Sequence, residues 1–292
     1  MTVLETIIIA IIEGLTEFLP VSSTGHMIIT QNLLGVTERM QQDAELAAFV
    51  HAFTFIIQFG AILSVVYLYR KKFFNINRSP ISENATAWQK LKHRYNFYWL
   101  LIVGVMPAVV IGLLAKKSGV LDWLLDSVAV VAITLVLGGI FMLFCDRIFN
   151  KGKEENNVNE SSAFKIGLFQ CLSVIPGMSR SMATIVGGMT QGLTRKKAAE
   201  FSFFLAVPTM AGATLLDLLD LLKDGTSWAT NHNIMMLLLG SAVAFIVALL
   251  AMKWFVNFLS KYGFKMFGIY RIIVGSIILI LLLTGHSLTM VE

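Results

Sequence analysis

Long apolar segments dominate the chain, and most polar residues are gathered between them. A helix needs about 20 mainly apolar residues to cross a hydrocarbon core about 30 Å thick. Six segments qualify: 45–69, 97–115, 127–144, 198–222, 234–255 and 266–283. The pattern therefore predicts an all-α integral membrane protein with six transmembrane helices.

Two further apolar segments are interrupted by charge or are too short. Segment 2–19 contains Glu13 and Glu17, and segment 163–175 runs into Pro176. An ionised group at the bilayer centre costs at least about 2.5–3.5 kcal/mol, and irregular backbone survives at that depth only inside protein or against a water-filled cavity. We therefore expect two re-entrant helix–loop–helix hairpins, 2–34 and 163–191.

The two predicted hairpins resemble each other in sequence. Residues 13–16 match 170–173 and residues 18–23 match 174–179, if Glu17 is treated as a one-residue insertion. Three spans follow each hairpin, and because three is odd the second copy must be upside down. We thus expect a single membrane domain, 1–292, built as an inverted-topology repeat of residues 1–147 and 160–285. Such repeats are typical of transporters, whose sites lie near the bilayer midplane.

Composition and charge agree with a lipid environment. The chain is 56% hydrophobic and 14% charged, against about 45–50% and about 25% in soluble domains. In the predicted topology, 17 of the 23 Lys and Arg lie on one side and 4 on the other. The positive-inside rule makes the richer side cytoplasmic, so both termini and the opening of the first hairpin are expected outside. The lipid bilayer is the expected surrounding, and no nucleic-acid partner is expected.

Glu13 and Glu17 are four residues apart, so their carboxylates lie on one helical face with Cβ atoms about 5–6 Å apart. Such a pair can share a proton or bind a divalent cation, Mg²⁺ or Ca²⁺, through oxygen ligands. The alternative is a polar stripe that lines a packed hairpin.

The loop after Pro20 has the composition of an anion-binding site. The next helix begins there, so its free N–H groups and its positive dipole end face the loop. Gly25 allows the backbone to approach a ligand closely. A histidine in this position is more often a buried core residue when it stands alone. The loop residues concerned are Ser22, Ser23, Thr24, Gly25 and His26.

The second hairpin supplies positive charge. Arg180 lies between Ser179 and Ser181, where a guanidinium can bind a phosphate bidentately. Arg271, within the last span, either binds the same anion or extends to the cytoplasmic interface. Acids, hydroxyls, a histidine and an arginine around an anion site favour phosphoryl transfer on a molecule with an anionic head and an apolar tail.

Residues 13–26 (EGLTEFLPVSSTGH) and 176–181 (PGMSRS) resemble the two signatures of the undecaprenyl-diphosphate phosphatase family, also called bacitracin resistance proteins. The resemblance covers essentially the whole chain. It implies hydrolysis of undecaprenyl diphosphate, a polyprenyl diphosphate lipid, to the monophosphate and inorganic phosphate, which recycles the carrier for peptidoglycan synthesis. It also implies a divalent cation and a site facing outward from the bacterial inner membrane. The family's motif residues fall on Glu13, Glu17, Ser23, His26, Arg180 and Arg271.

These residues define a hypothesis with open alternatives. Ser23, His26 or a water is the nucleophile, Glu17 is the base, and His26 is an acid or base. Arg180 should lie within about 8 Å of Ser23 or Glu17, because hydrogen bonds to a shared phosphate are only about 3 Å long. The rival function is a secondary transporter or flippase for a polyprenyl phosphate. Self-association into a homo-oligomer is left open.

Overall fold

The protein's structure is a computed structural model that describes residues 1–77, 79–82, 85–119, 124, 127–223, 228–286 and 288. Within these ranges it consists of helices and connecting turns. The helices are α1 (Val3–Thr16), α2 (Ser23–Leu33), α3 (Val36–Gln42), α4 (Ala44–Leu68), α5 (Arg70–Phe74), α6 (Ala87–Arg94), α7 (Asn96–Lys117), α8 (Val128–Phe149), α9 (Glu160–Gln170), α10 (Arg180–Thr190), α11 (Arg195–Lys223), α12 (Asn231–Tyr262) and α13 (Lys265–Leu283), with a 3₁₀ turn at Cys171–Val174.

The six predicted spans correspond to α4, α7, α8, α11, α12 and α13, and all six are long and apolar enough to cross a membrane. The number of spans is therefore confirmed for the described residues. α12 continues past the predicted end at residue 255 to Tyr262. Hydropathy marks only the apolar part of a helix, and the added turns contain Asn257, Ser260 and Lys261. The helix ends at Gly263, whose φ of +72° is a conformation that glycine adopts without strain.

The bundle has two ends that the contacts identify. Lys116 at the end of α7 pairs with Asp220 near the end of α11, at 3.3 Å. His232 in the first turn of α12 lies 3.2 Å from the carbonyl oxygen of Met1. The ends of α7 and α11 and the starts of α1 and α12 thus share what we call the upper end. The lower end holds the start of α7, where Trp99 donates to Glu160 of α9 at 3.0 Å.

Two short helices, α1 and α9, each pack against a long helix from the other half of the chain. α1 packs along α12, and α9 packs along α7. Glycines permit both approaches. A Cβ added to Gly14 would lie 2.8 Å from the carbonyl oxygen of Ala244, and one added to Gly167 would overlap the carbonyl oxygen of Gly104. Between these pairs α4 contacts α11 and α12, and α8 packs along α13.

The two loops that precede α2 and α10 share an unusual backbone. Ser22 has φ 70° and ψ 106°, and Ser179 has φ 69° and ψ 110°; they are the non-glycine residues with positive φ in the described chain. If the two loops are aligned at Ser22 and Ser179, Ser23 aligns with Arg180 and no one-residue insertion at Glu17 is needed. The predicted match of Ser23 with Ser179 was therefore wrong. That match aligned Pro20 with Pro176. The backbone conformation that the two loops share occurs instead at Ser22 and Ser179, the residue before each helix.

Candidate active site

A cavity of about 560 Å³ lies where the loops before α2 and α10 meet. Glu13, Glu17, Ser23 and Arg180 are among its polar lining residues, together with Ser22, Thr24 and Ser179. α4 and α11 supply apolar wall residues, including Phe55 and Met210. The cavity therefore combines a charged region with an apolar wall, which suits an amphiphilic ligand.

A hydrogen-bonded chain joins the two loops inside this cavity. Arg180 Nη2 lies 3.2 Å from Glu17 Oε1, and the Ser23 hydroxyl donates to Glu17 Oε2 at 2.8 Å. The side chains of Arg180 and Glu17 are only 12% and 8% exposed. The expected approach of Arg180 to Glu17 is confirmed. It connects residues that are far apart in sequence.

This chain has the form of a nucleophile and its base. A hydroxyl that donates to a carboxylate can transfer its proton as it attacks an electrophile. Arg180 keeps one buried nitrogen, Nη1, without a hydrogen-bond partner. An unpaired buried donor is costly, so this guanidinium is arranged to accept an anionic ligand.

Glu13 is the most unusual acid in the site. It is fully buried, and neither carboxylate oxygen has a hydrogen-bond partner. Arg180 and Glu17 both interact with it electrostatically. A buried carboxylate without partners needs a proton or a cation. The described residues contain no group of three His, Cys, Asp or Glu that could hold a metal, and Glu13 and Glu17 both line the cavity.

The start of α2 lies at the cavity. Ser22 precedes the helix, but its side chain does not cap it. Orphan N–H groups at a helix N-terminus bind anions, and here Ser23 and Thr24 line the cavity at that point. The equivalent end of α10 differs, because Ser179 Oγ accepts a 3.4 Å hydrogen bond from the amide of Met182.

Comparison with known proteins identifies the family. A sequence model of the family described as "Bacitracin resistance protein BacA" matches residues 6–277. The chain belongs to the BacA family. A protein named undecaprenyl-diphosphatase from Porphyromonas gingivalis is 52% identical over 289 residues, which cover 99% of each chain. Proteins of the same name from Flavobacterium psychrophilum and Aquifex aeolicus are 49% and 41% identical, covering all of both chains in the first case and 94% of this chain and 96% of the relative in the second.

His26 is absent from the lining of this cavity. Its Nδ1 is 2.7 Å from the carbonyl oxygen of Ser22, and its Nε2 is 2.7 Å from the hydroxyl of Tyr270. Both ring nitrogens are therefore occupied by the protein. This differs from the acid or base role expected for His26, which requires a nitrogen free to face the substrate.

Arg271 in this BacA-family chain neither faces the cavity nor extends to the interface. It is fully buried, and its guanidinium donates to carbonyl oxygens of both loops and of α8. The acceptors are Pro20, Thr134, Leu135, Gly177 and Met178, at 2.8–3.4 Å. Because all of its N–H donors are used in this way, Arg271 joins the two loops through their carbonyl oxygens. The sequence had led us to expect a contact with the substrate instead.

Two other expected contacts of the BacA-family motif are also used internally. Ser181 is buried and its hydroxyl donates to the carbonyl oxygen of Leu19 at 2.8 Å, which ties one loop to the other. A Cβ added to Gly25 would lie 2.8 Å from Leu135 Cδ1. The close approach that Gly25 permits in this structure is thus to α8. Ser22, Thr24 and Ser179 do line the cavity.

Sequence reasoning missed Tyr270 and the place of Lys116. Tyr270 stands beside Arg271 in the last span, but no pattern marks a single tyrosine as a partner of a distant histidine. Lys116 was counted only as a charge on the poorer side, whereas it lines the cavity near the upper end. Its position directly after the predicted span 97–115 was compatible with that placement, without requiring it.

Proposed function

We propose that the chain removes the terminal phosphate of undecaprenyl diphosphate. The observation that carries this proposal is the Arg180–Glu17–Ser23 chain inside a cavity with an apolar wall. The family and the names of its members point to the same reaction. In a bacterium the monophosphate product would return to peptidoglycan synthesis, and abundant enzyme would oppose bacitracin.

In the first step Ser23 Oγ attacks the terminal phosphorus and passes its proton to Glu17. An O–P bond to Ser23 forms, the bond to the bridging oxygen breaks, and undecaprenyl phosphate leaves. Arg180 binds oxygens of the transferred group through Nη1, while the first amides of α2 stabilise the charge spread over those oxygens.

In the second step water releases the phosphate from Ser23. Glu17, 2.8 Å from Ser23 Oγ, gives its proton to that oxygen as water attacks the phosphorus, so the Ser23–phosphorus bond breaks and inorganic phosphate leaves with both hydrogens of the water. The serine hydroxyl is restored by the proton that Glu17 took in the first step. The competing route, direct attack by water, would use Glu17 as base without forming a serine ester.

A divalent cation, Mg²⁺ or Ca²⁺, belongs to the proposal. The buried, unpartnered oxygens of Glu13 fit such an ion, with Glu17 as the second carboxylate. Mg²⁺ commonly uses one or two carboxylates and completes its shell with water and substrate phosphates. When bound, the ion would neutralise charge on the diphosphate.

The site is proposed to open to the extracytoplasmic side of the inner membrane. Lys116 and Asp217 line the cavity towards the upper end. Most Lys and Arg belong to segments at the lower end, although Arg78 lies outside the described residues. The positive-inside rule then makes the lower end cytoplasmic.

We also propose that α1–α2 and α9–α10 are re-entrant hairpins within an inverted repeat, residues 1–147 and 160–285. Support comes from the contacts: α1 starts at the upper end, and α3, which follows α2, returns there through the 2.7 Å Arg39–Glu5 ion pair. α9 starts at the lower end beside Trp99. The serine conformations at Ser22 and Ser179 and the exchanged packing of α1 and α9 agree with two related halves.

Phosphate release from detergent-purified protein tests the proposed function. Wild-type protein should release phosphate from undecaprenyl diphosphate, and Ser23→Ala should lower kcat by more than about 10³-fold. Ser118→Ala, an exposed serine at the end of α7, is the matched control. A transporter or flippase would release no phosphate, because detergent solution offers no second compartment. Absence of release by wild-type protein would overturn the proposal.

A further inference from the structure

Tyr270 contacts His26, near the loop that precedes α2. Its hydroxyl lies 2.7 Å from His26 Nε2, and the two rings stack with centroids 5.5 Å apart and planes 9° apart. Tyr270 is on α13, whereas His26 is on α2. The pair thus fixes the orientation of an imidazole that does not line the cavity.

The hydrogen bonds define which nitrogen carries the proton. The carbonyl oxygen of Ser22 can only accept, so His26 Nδ1 must be the donor in the 2.7 Å contact. In neutral imidazole Nε2 is then an acceptor, and the Tyr270 hydroxyl is its donor. The chain therefore runs from Tyr270 through His26 to the backbone of Ser22.

That backbone is held in a conformation which a serine rarely adopts. Ser22 has φ 70° and ψ 106°, a sparsely populated backbone conformation that costs on the order of 1–3 kcal/mol, so surrounding contacts must maintain it. The peptide between Ser22 and Ser23 is trans. In a trans peptide the carbonyl and the following N–H point in opposite directions. Holding the Ser22 carbonyl against His26 therefore directs the Ser23 amide away from His26, and Ser22 and Ser23 both line the cavity.

We propose that Tyr270 is a positioning residue which, through His26, aims the Ser23 amide at the phosphate that reacts. This inference rests on the proposed phosphatase function. His26 then contributes as a fixed hydrogen-bond donor and does not exchange protons with the substrate. Arg271, the next residue, donates to the carbonyl oxygens of Pro20, Gly177 and Met178.

Two substitutions of His26 separate positioning from proton transfer. The Asn amide nitrogen can occupy the place of Nδ1 and donate to Ser22, but it cannot titrate. His26→Asn should therefore keep kcat within about 10-fold of wild type, whereas His26→Leu should lose up to about 10²-fold, the typical cost of a misplaced reacting geometry. The pH dependence of kcat should have the same shape in wild type and His26→Asn.

Tyr270→Phe removes only the hydroxyl. About 44% of Tyr270 is exposed in the isolated chain, so the Phe variant is expected to fold. It should lower kcat by roughly 10-fold with little change in KM, because the amide stabilises the transition state more than the bound substrate. In the His26→Leu background the same change should have no further effect, since the connection is already broken.

Tyr262→Phe, at the exposed end of α12, is the matched control and should retain wild-type kcat. Multiplicative effects of Tyr270→Phe and His26→Leu would overturn the proposal. So would wild-type kcat in Tyr270→Phe, or His26→Asn as inactive as His26→Leu with a lost limb of the pH profile. Kinetics are measured on the monodisperse fraction of each variant. If wild-type protein releases no phosphate, it is the proposed function that fails.

Discussion

Glu13 and Glu17 stand one helical turn apart yet have different surroundings. Glu17 is hydrogen-bonded to Ser23 and Arg180, and Glu13 has no partner for either oxygen. Their chemical roles should therefore separate on substitution. Charge removal at Glu17 affects the base, whereas charge removal at Glu13 affects the proposed cation site.

Glu17→Gln is expected to lower phosphate release by about 10²–10³-fold at any cation concentration. Glu13→Gln should weaken activity chiefly through metal affinity, so that excess Mg²⁺ or Ca²⁺ restores part of it. Activity titrated with cation and chelator measures both effects, and Glu45→Gln at the start of α4 is the control. Full hydrolysis in excess chelator would contradict the carboxylate–cation proposal.

Arg271→Lys tests the structural use of that arginine. Lysine has three donors and no planar fork, so some of the carbonyls that Arg271 now binds would be left unpaired. Each unpaired buried group costs about 1–3 kcal/mol. A lower Tm in detergent, with loss of activity, is the expected result. An unchanged Tm with only a raised KM would instead favour the substrate contact predicted from the sequence.

The sequence predicted which residue types gather at the site better than it predicted their directions. Glu17, Ser23 and Arg180 meet as expected, where the loops before α2 and α10 come together. His26 and Arg271 turn away from the cavity. A motif does not reveal whether a polar side chain faces a ligand or the backbone behind it, since both choices satisfy its hydrogen bonds.

At the scale of helices and loops, hydropathy and length located the six spans, and the interruptions by Glu13 and Pro176 located the two loops. The short helices α3, α5 and α6 were not predicted, because they lack the long apolar pattern used to find spans. α6 begins with a capping box of Thr86 and Gln89, a local signal that hydropathy does not detect.

Gly177→Ala probes the loop before α10. Gly177 has φ +82°, and an added Cβ would lie 2.6 Å from the carbonyl oxygen of Val131. Strain and overlap should together lower stability by more than about 1 kcal/mol, seen as a lower Tm. Gly112→Ala in α7 is the control: no atom lies within 4 Å of its added Cβ, so this change should be neutral or stabilising. A Tm equal to wild type for Gly177→Ala would contradict the crowding.

At the scale of the whole molecule, the proposed orientation can be measured by labelling single cysteines in intact cells. Cys145 and Cys171 are first replaced by alanine. A membrane-impermeant reagent should then label a cysteine at Thr2 or Ser118, at the upper end, and leave one at Glu155 unlabelled until the cells are opened. The reverse pattern would place the cavity mouth in the cytoplasm.

The charge at that mouth gives a further prediction. Lys116 lines the cavity and forms an ion pair with Asp220 at 3.3 Å. Arg180, the other cationic residue of the cavity lining, is already paired with Glu17. Lys116→Met should raise KM several-fold with little change in kcat, because it removes attraction for an anionic head group before the chemical step. Lys117→Met is the matched control, and the KM difference should shrink at high salt. Equal KM values for the two variants would contradict the prediction.

The exchanged packing of α1 and α9 has a consequence for biosynthesis. α1 leaves the ribosome first, but the helix it packs along, α12, comes near the end of translation. At about 5–20 residues per second, roughly 10–50 s separate the two. During that interval Glu13 has no final partner helix, so the nascent hairpin must wait at the membrane or be held by other factors. Neither half should be stable alone, and two half-chains translated together should assemble where either one by itself is degraded.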